Sequence, residues 1–95
     1  MTETRDWEAS YREGKLGFMD APAEQLRHAV MGSLISSYAP GEVIDLGSGP
    51  GYLLRWLAAE TTTRYVAVDA SATALAGLPR SAIPTETFAG AIEAY

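Results

Sequence analysis

The chain has no cysteine and a single histidine, His28. The first absence excludes a disulfide framework and any thiolate metal site. One imidazole does not build a zinc centre by itself, so no metal is expected. Basic side chains are also few: seven Lys and Arg stand against twelve Asp and Glu, for a net charge of -5 and a pI near 4.6. They are scattered, with no run or stripe, which excludes a nucleic-acid binder that works by charge. No apolar run approaches the roughly 20 residues of a membrane span. The opening Met1-Thr2-Glu3-Thr4-Arg5-Asp6-Trp7 lacks the apolar stretch of a secretory signal. Neither a nucleic acid nor a membrane is expected as a partner, and the cytoplasm is the default location.

What the chain does have is apolar material, 47% of its 95 residues. That suffices for a packed core in one small domain or in part of a larger one. The pattern predicts a short helix over Asp6–Gly14, with Trp7 and Tyr11 one turn apart on the same face. A glycine-punctuated loop precedes a longer helix, for which Asp20 is a candidate N-cap and Pro22 a tolerated first-turn residue. Along it Leu26, Ala29 or Val30, Leu34 and Tyr38 recur at helical spacing, and Pro40-Gly41 ends it.

Glu42–Leu46 then reads as a buried parallel strand, followed by the turn Gly47-Ser48-Gly49-Pro50-Gly51. Tyr52–Glu60 reads as a helix with Trp56 in the core, and Thr61-Thr62-Thr63 closes it. Arg64–Asp69 is a second strand, Ser71–Leu78 a short helix and Thr85–Ala89 a third strand. A leading helix before β-α-β-α-β is the order of a doubly wound parallel sheet.

The chemistry concentrates at the first strand-to-helix junction. Closely spaced glycines let a backbone turn tightly and let a ligand approach without side-chain interference. A following helix adds N–H groups and a partial positive charge. Asp69 ends the second strand 18 residues after Gly51. Adjacent parallel strands end side by side, so its carboxylate is placed to accept hydrogen bonds from the two hydroxyls of a ribose above the glycine turn. A dinucleotide fingerprint would have its third glycine at position 52, where Tyr52 stands. Asp45 also lies just before the turn, a poor neighbour for a diphosphate and a good one for an ammonium group. A ligand with a cationic amino-acid end and an adenosine end suits both carboxylates. His28, between Arg27 and Ala29, is expected to be solvated or to cap; Asp45 has the alternative role of capping the helix after the turn.

Val43-Ile44-Asp45-Leu46-Gly47-Ser48-Gly49-Pro50-Gly51 resembles motif I of the class I S-adenosylmethionine-dependent methyltransferases. Val66-Ala67-Val68-Asp69-Ala70-Ser71 is similar to their second motif, and Phe88-Ala89-Gly90-Ala91-Ile92-Glu93 to their third. The resemblance covers roughly Pro40 to Tyr95. It implies a Rossmann-like α/β domain divided as 1–41, a helical lid segment, and 42–95, the N-terminal half of the cofactor domain. By that resemblance, Asp45, Gly47, Ser48, Gly49 and Gly51 hold the methionine part of S-adenosylmethionine. Asp69 takes the ribose hydroxyls and Ala70 lies against the adenine. Members often carry an acidic residue for the adenine amino group where this chain has Ala91, which leaves the backbone N–H of Ile92. Trp7 and Tyr11 either pack their helix onto the domain or form a lid in which the Tyr11 hydroxyl reaches the cofactor carboxylate.

The family sheet has the order 3-2-1-4-5-7-6, and this chain reaches only the third strand. The implied activity is therefore that of a whole protein that methylates a small molecule or peptide, with no catalytic residue expected in these 95 residues. The chain reads as a fragment or as a half-domain that self-associates through the strand edge Val43–Leu46. A non-catalytic nucleotide-binding or interaction module is the alternative, and an NAD-dependent oxidoreductase fragment a lesser one.

Overall fold

The computed structural model describes residues 21–95, so the expected helix over Asp6–Gly14, with Trp7 and Tyr11, lies outside the described residues. Helix α1 spans Pro22–Ser37 and leads into β1, Gly41–Leu46. A single 3-10 turn at Leu54–Trp56 precedes β2, Thr62–Asp69. Helix α2, Ala72–Ala76, then leads to β3, Thr85–Ala89, and a last 3-10 turn covers Ile92–Ala94. The three strands form one parallel sheet in the order β1-β2-β3, a small α/β arrangement.

The central strand fixes the core. Tyr65 to Asp69 of β2 are all buried, as a parallel strand covered on both faces must be. Tyr65 and Ala67 face a cluster of Leu53, Leu54, Leu57, Leu75 and Ile83, with Ile35, Val43 and Leu78 packed against it. Each such leucine contributes about 1.5–3 kcal/mol by leaving water. Register puts Val66 and Val68 beside Ile44 and Leu46 on the opposite face, where the two β1 side chains are exposed. Across the strands Arg64 reaches Glu42 at 3.0 Å and Glu86 at 2.6 Å, a surface ladder of small energetic weight.

The segment after the glycine turn departs from expectation. Tyr52–Glu60 forms no regular helix, only the 3-10 turn, and Trp56 is 40% exposed rather than core. Four successive residues, Gly51 to Leu54, are buried. No single face of a helix buries four residues in a row, because they complete a full turn. The chain therefore takes a tighter, irregular course over the sheet. Strand β2 also begins at Thr62, inside the threonine run expected to close that helix.

Helix α1 begins as its Pro22 predicts, but the N-cap position falls on Ala21, which makes no side-chain capping bond, rather than on Asp20. Its docking is set by backbone contact. A Cβ at Gly32 would lie 2.6 Å from the Trp56 Cβ and 2.7 Å from the Trp56 carbonyl oxygen, so only glycine permits this approach. The Ala58 N–H donates to Ser36 Oγ at 3.0 Å and locks the same face. Leu26, Val30, Leu34 and Tyr38, the residues at helical spacing, consequently point to solvent. With apolar residues on most of its circumference, α1 has no unique inward face in its sequence.

Candidate functional site

The turn Gly47–Gly51 joins β1 to the buried segment through three left-handed glycines. Their φ values are 77° at Gly47, 57° at Gly49 and 85° at Gly51. The N–H groups of Gly47 and Ser48 both donate to the Val68 carbonyl, at 2.7 and 3.1 Å. Gly51 N–H donates to the Ser48 carbonyl at 3.2 Å. Gly49 N–H donates to Asp69 Oδ2 at 2.8 Å. Pro50 has no N–H. The buried Ser48 hydroxyl turns into its own loop and donates to the Gly49 carbonyl at 3.1 Å. Every donor of residues 47–51 is thus engaged within the chain, and the regular helix expected to supply more is absent. An anion finds no seat in this turn.

The two carboxylates flank it. Asp69 ends β2 almost fully buried, and both oxygens accept from backbone, Oδ2 from Gly49 and Oδ1 from Ser71, each at 2.8 Å. Its first task is therefore to tie the glycine turn to the start of α2, where Ser71 Oγ caps the helix by accepting from Ala74 N–H. Each carboxylate oxygen keeps a further acceptor position. Asp45 is half-buried on the core-facing side of β1 and accepts from the Tyr65 hydroxyl at 2.6 Å. It does not cap a helix after the turn. Burial, then the charge and the hydrogen bond of Asp45, push the Tyr65 phenol far above its ordinary range, so it remains a donor.

Burial raises the Asp45 pKa above its ordinary 3.8. The Tyr65 bond and the charge of His28 act against that shift, and the nearby Asp69 charge adds to it. An unfolded chain releases this proton first as pH rises. The Asp45 contribution to stability is therefore complete below the ordinary value and is lost as pH climbs through the folded one. Asp45→Asn keeps an acceptor for Tyr65 and removes the charge. At pH 7 it should stabilise the chain by about 1 kcal/mol or less, a few degrees in melting temperature, and the gain should vanish in melts below pH 4.

The remaining residues of the expected site divide. Gly47 is exposed, and a Cβ there would meet nothing within 4 Å. Ser48, Gly49 and Gly51 are buried beneath it. Ala70 is exposed at the end of β2, and Gly90 N–H donates to the Asp69 carbonyl at 2.9 Å, which brings the start of the last turn beside it. Ile92 is 47% exposed in that turn. Tyr11 lies outside the described residues.

One residue of the site was missed. His28 is half-buried, its ring stacked on Tyr52 with centroids 5.5 Å apart and planes 27° from parallel. Its Nδ1 donates to the Glu24 carbonyl at 2.7 Å. The ring is only partly solvated, and its bond lies within α1 and caps no helix end. Nothing local in the sequence signals it, because only the docking of α1 through Gly32 brings His28 to the turn.

No group of three or more His, Asp or Glu side chains that could hold a metal occurs among the described residues, and no helix there is long and apolar enough to cross a membrane. No protein-family model, curated protein or solved structure matches the chain.

Proposed function

We propose that this chain is the cofactor-gripping part of a class I S-adenosylmethionine-dependent methyltransferase that acts on a small molecule or peptide. The observation that carries the reading is the imbalance of the site: the glycine turn offers no N–H, while two carboxylates border it. A diphosphate would meet negative charge and no free N–H from residues 47–51. A ligand that brings an ammonium group and a ribose diol meets the acceptors it needs.

In this reading Asp45 takes the ammonium and the remaining acceptor positions of Asp69 take the ribose hydroxyls. Ala70 and the turn at Ile92 border the adenine, and the bare Cα of Gly47 lets the chain between them pass close to the backbone. The cofactor supplies a methyl group already activated on a sulfonium. The protein's part is positioning, and no nucleophile of its own is required.

Calorimetric titration of the 95-residue chain with S-adenosylhomocysteine and, separately, with NADH tests this. The first should bind and the second should not, and Asp45→Ala should weaken the first by about tenfold or more, the worth of one charge-assisted hydrogen bond. NADH binding that survives Asp45→Ala would sink the proposal in favour of an oxidoreductase fragment. A folded chain that binds neither would point to an interaction module.

A further inference from the structure

Tyr65 is fully buried in β2, in the cluster that holds Leu54, Leu75 and Ile83. Register sets Val43 beside Tyr65 and Asp45 beside Ala67, so Asp45 lies two residues further along the same face of the sheet. Two residues of parallel strand rise about 6.6 Å, a distance that a tyrosine side chain can span. Ala67, level with Asp45, carries only a methyl group and leaves that path open. The Tyr65 hydroxyl accordingly donates to Asp45 Oδ2 at 2.6 Å.

This bond makes the two carboxylate oxygens unequal. Oδ2 is taken, and Oδ1 has no hydrogen-bond partner among the described residues. Among those residues Thr62 Oγ1 alone is a sealed side-chain polar atom without a partner, so Oδ1 is open to solvent. A ring packed on all sides cannot swing away, so the phenol fixes the carboxylate before any ligand arrives. Pre-organisation of that kind lowers the cost of binding.

We infer that Tyr65 is a positioning residue for ligand recognition: its hydroxyl clamps Oδ2 of Asp45 and so aims Oδ1 at the ammonium group of an adenosyl thioether. The inference rests on the adenosyl reading above and adds a core residue to a site otherwise built from the glycine turn and strand ends. The bond also bears on the proton of Asp45. Burial raises the Asp45 pKa; the Tyr65 bond and then the charge of His28 lower it, and the charge of Asp69 raises it. Without the hydroxyl, Asp45 takes up its proton at a higher pH. An ammonium is drawn to the carboxylate and not to the neutral acid.

Calorimetry on the 95-residue chain with two probes tests this. S-Adenosylhomocysteine carries the amine, and 5′-methylthioadenosine lacks it. Tyr65→Phe keeps the ring in the core and removes the hydroxyl. At pH 7 it should weaken S-adenosylhomocysteine about tenfold and leave methylthioadenosine within about twofold. On acidification from about pH 8 to about pH 5, S-adenosylhomocysteine affinity should start to fall at a higher pH in Tyr65→Phe than in the wild type. In an Asp45→Asn background the same substitution should cost about twofold or less, because no carboxylate remains to be aimed. A measurement on the unaltered chain needs no variant to fold: the Tyr65 hydroxyl proton resonance should shift on adding S-adenosylhomocysteine and stay in place with methylthioadenosine.

Equal weakening of both probes by Tyr65→Phe would make the bond a matter of structure alone and overturn the inference. Unchanged S-adenosylhomocysteine affinity with an unchanged pH profile, or a hydroxyl resonance indifferent to that ligand, would overturn it too. Methylthioadenosine that binds the wild type as well as S-adenosylhomocysteine does would also overturn it and leave the adenosyl site standing. If neither probe binds a chain whose circular dichroism shows it folded, both readings fall.

Discussion

Asp69→Ala is expected to destabilise the chain by roughly 2–5 kcal/mol, the cost of leaving two buried donors without partners. The carboxylate accepts from Gly49 N–H and Ser71 N–H, each at 2.8 Å, and is only 7% exposed. Water has little access to replace it. A domain of this size has about 5–15 kcal/mol of stability in total, so the loss should lower the melting temperature by roughly 10 °C or more. Asp69→Asn keeps one carbonyl oxygen and turns an amide N–H₂ toward the other donor, and it should fall between the wild type and alanine. Circular dichroism melts measure both. A small change for Asp69→Ala would mean that the turn keeps its shape without the carboxylate. The same pair of hydrogen bonds explains why loss of ligand binding in Asp69→Ala is weak support for a ribose contact. Asp45, which holds no backbone donor, is the cleaner variant.

The strands were legible because their composition and their position agree. Apart from Asp45, Val43–Leu46 and Tyr65–Val68 are β-branched or apolar runs, and β3 spans Thr85–Ala89 as its sequence predicts. The parallel order follows from the intervening segments, which are long enough to cross over. The glycine turn was legible for a related reason, since three glycines at alternate positions have few uses other than left-handed backbone. The segment Tyr52–Glu60 was not, because its apolar density hid the absence of a helical face. Helix α1 was half legible. Pro22 and Pro40-Gly41 mark its limits, but its orientation depends on Gly32, whose role appears only against Trp56. His28 was invisible for that reason, and with it the ring stacked on Tyr52 beside the turn. Asp69 was found for its charge, yet its contacts are structural first. A carboxylate at a strand end serves a ligand and a loop by the same acceptor chemistry, and sequence does not separate the two.

Gly51→Ala is expected to destabilise the chain by roughly 2–5 kcal/mol, for a reason opposite to that at Gly47. At Gly51 φ is +85°, and an added Cβ would lie 2.7 Å from Leu78 Cδ2 and 2.9 Å from Pro79 Cδ. The Leu78 side chain can rotate away. The Pro79 ring cannot, so relief requires a shift of the connection that carries Ile83 into the core. Strain in the left-handed region, about 1–2 kcal/mol, adds to the overpacking. At Gly47 φ is +77°, but a Cβ would meet nothing within 4 Å. Gly47→Ala should therefore lose only the backbone term and stay folded. Its methyl group would project into the space over which the proposed ligand passes, so binding of S-adenosylhomocysteine should weaken about tenfold or more, on the order of the 1–3 kcal/mol that overpacking costs. One glycine is thus required by packing within the chain and the other by what approaches it from outside. Melting curves and titrations on the two variants read these requirements separately. A Gly47→Ala chain that melts within a few degrees of wild type and binds with full affinity would show that no ligand crosses the turn.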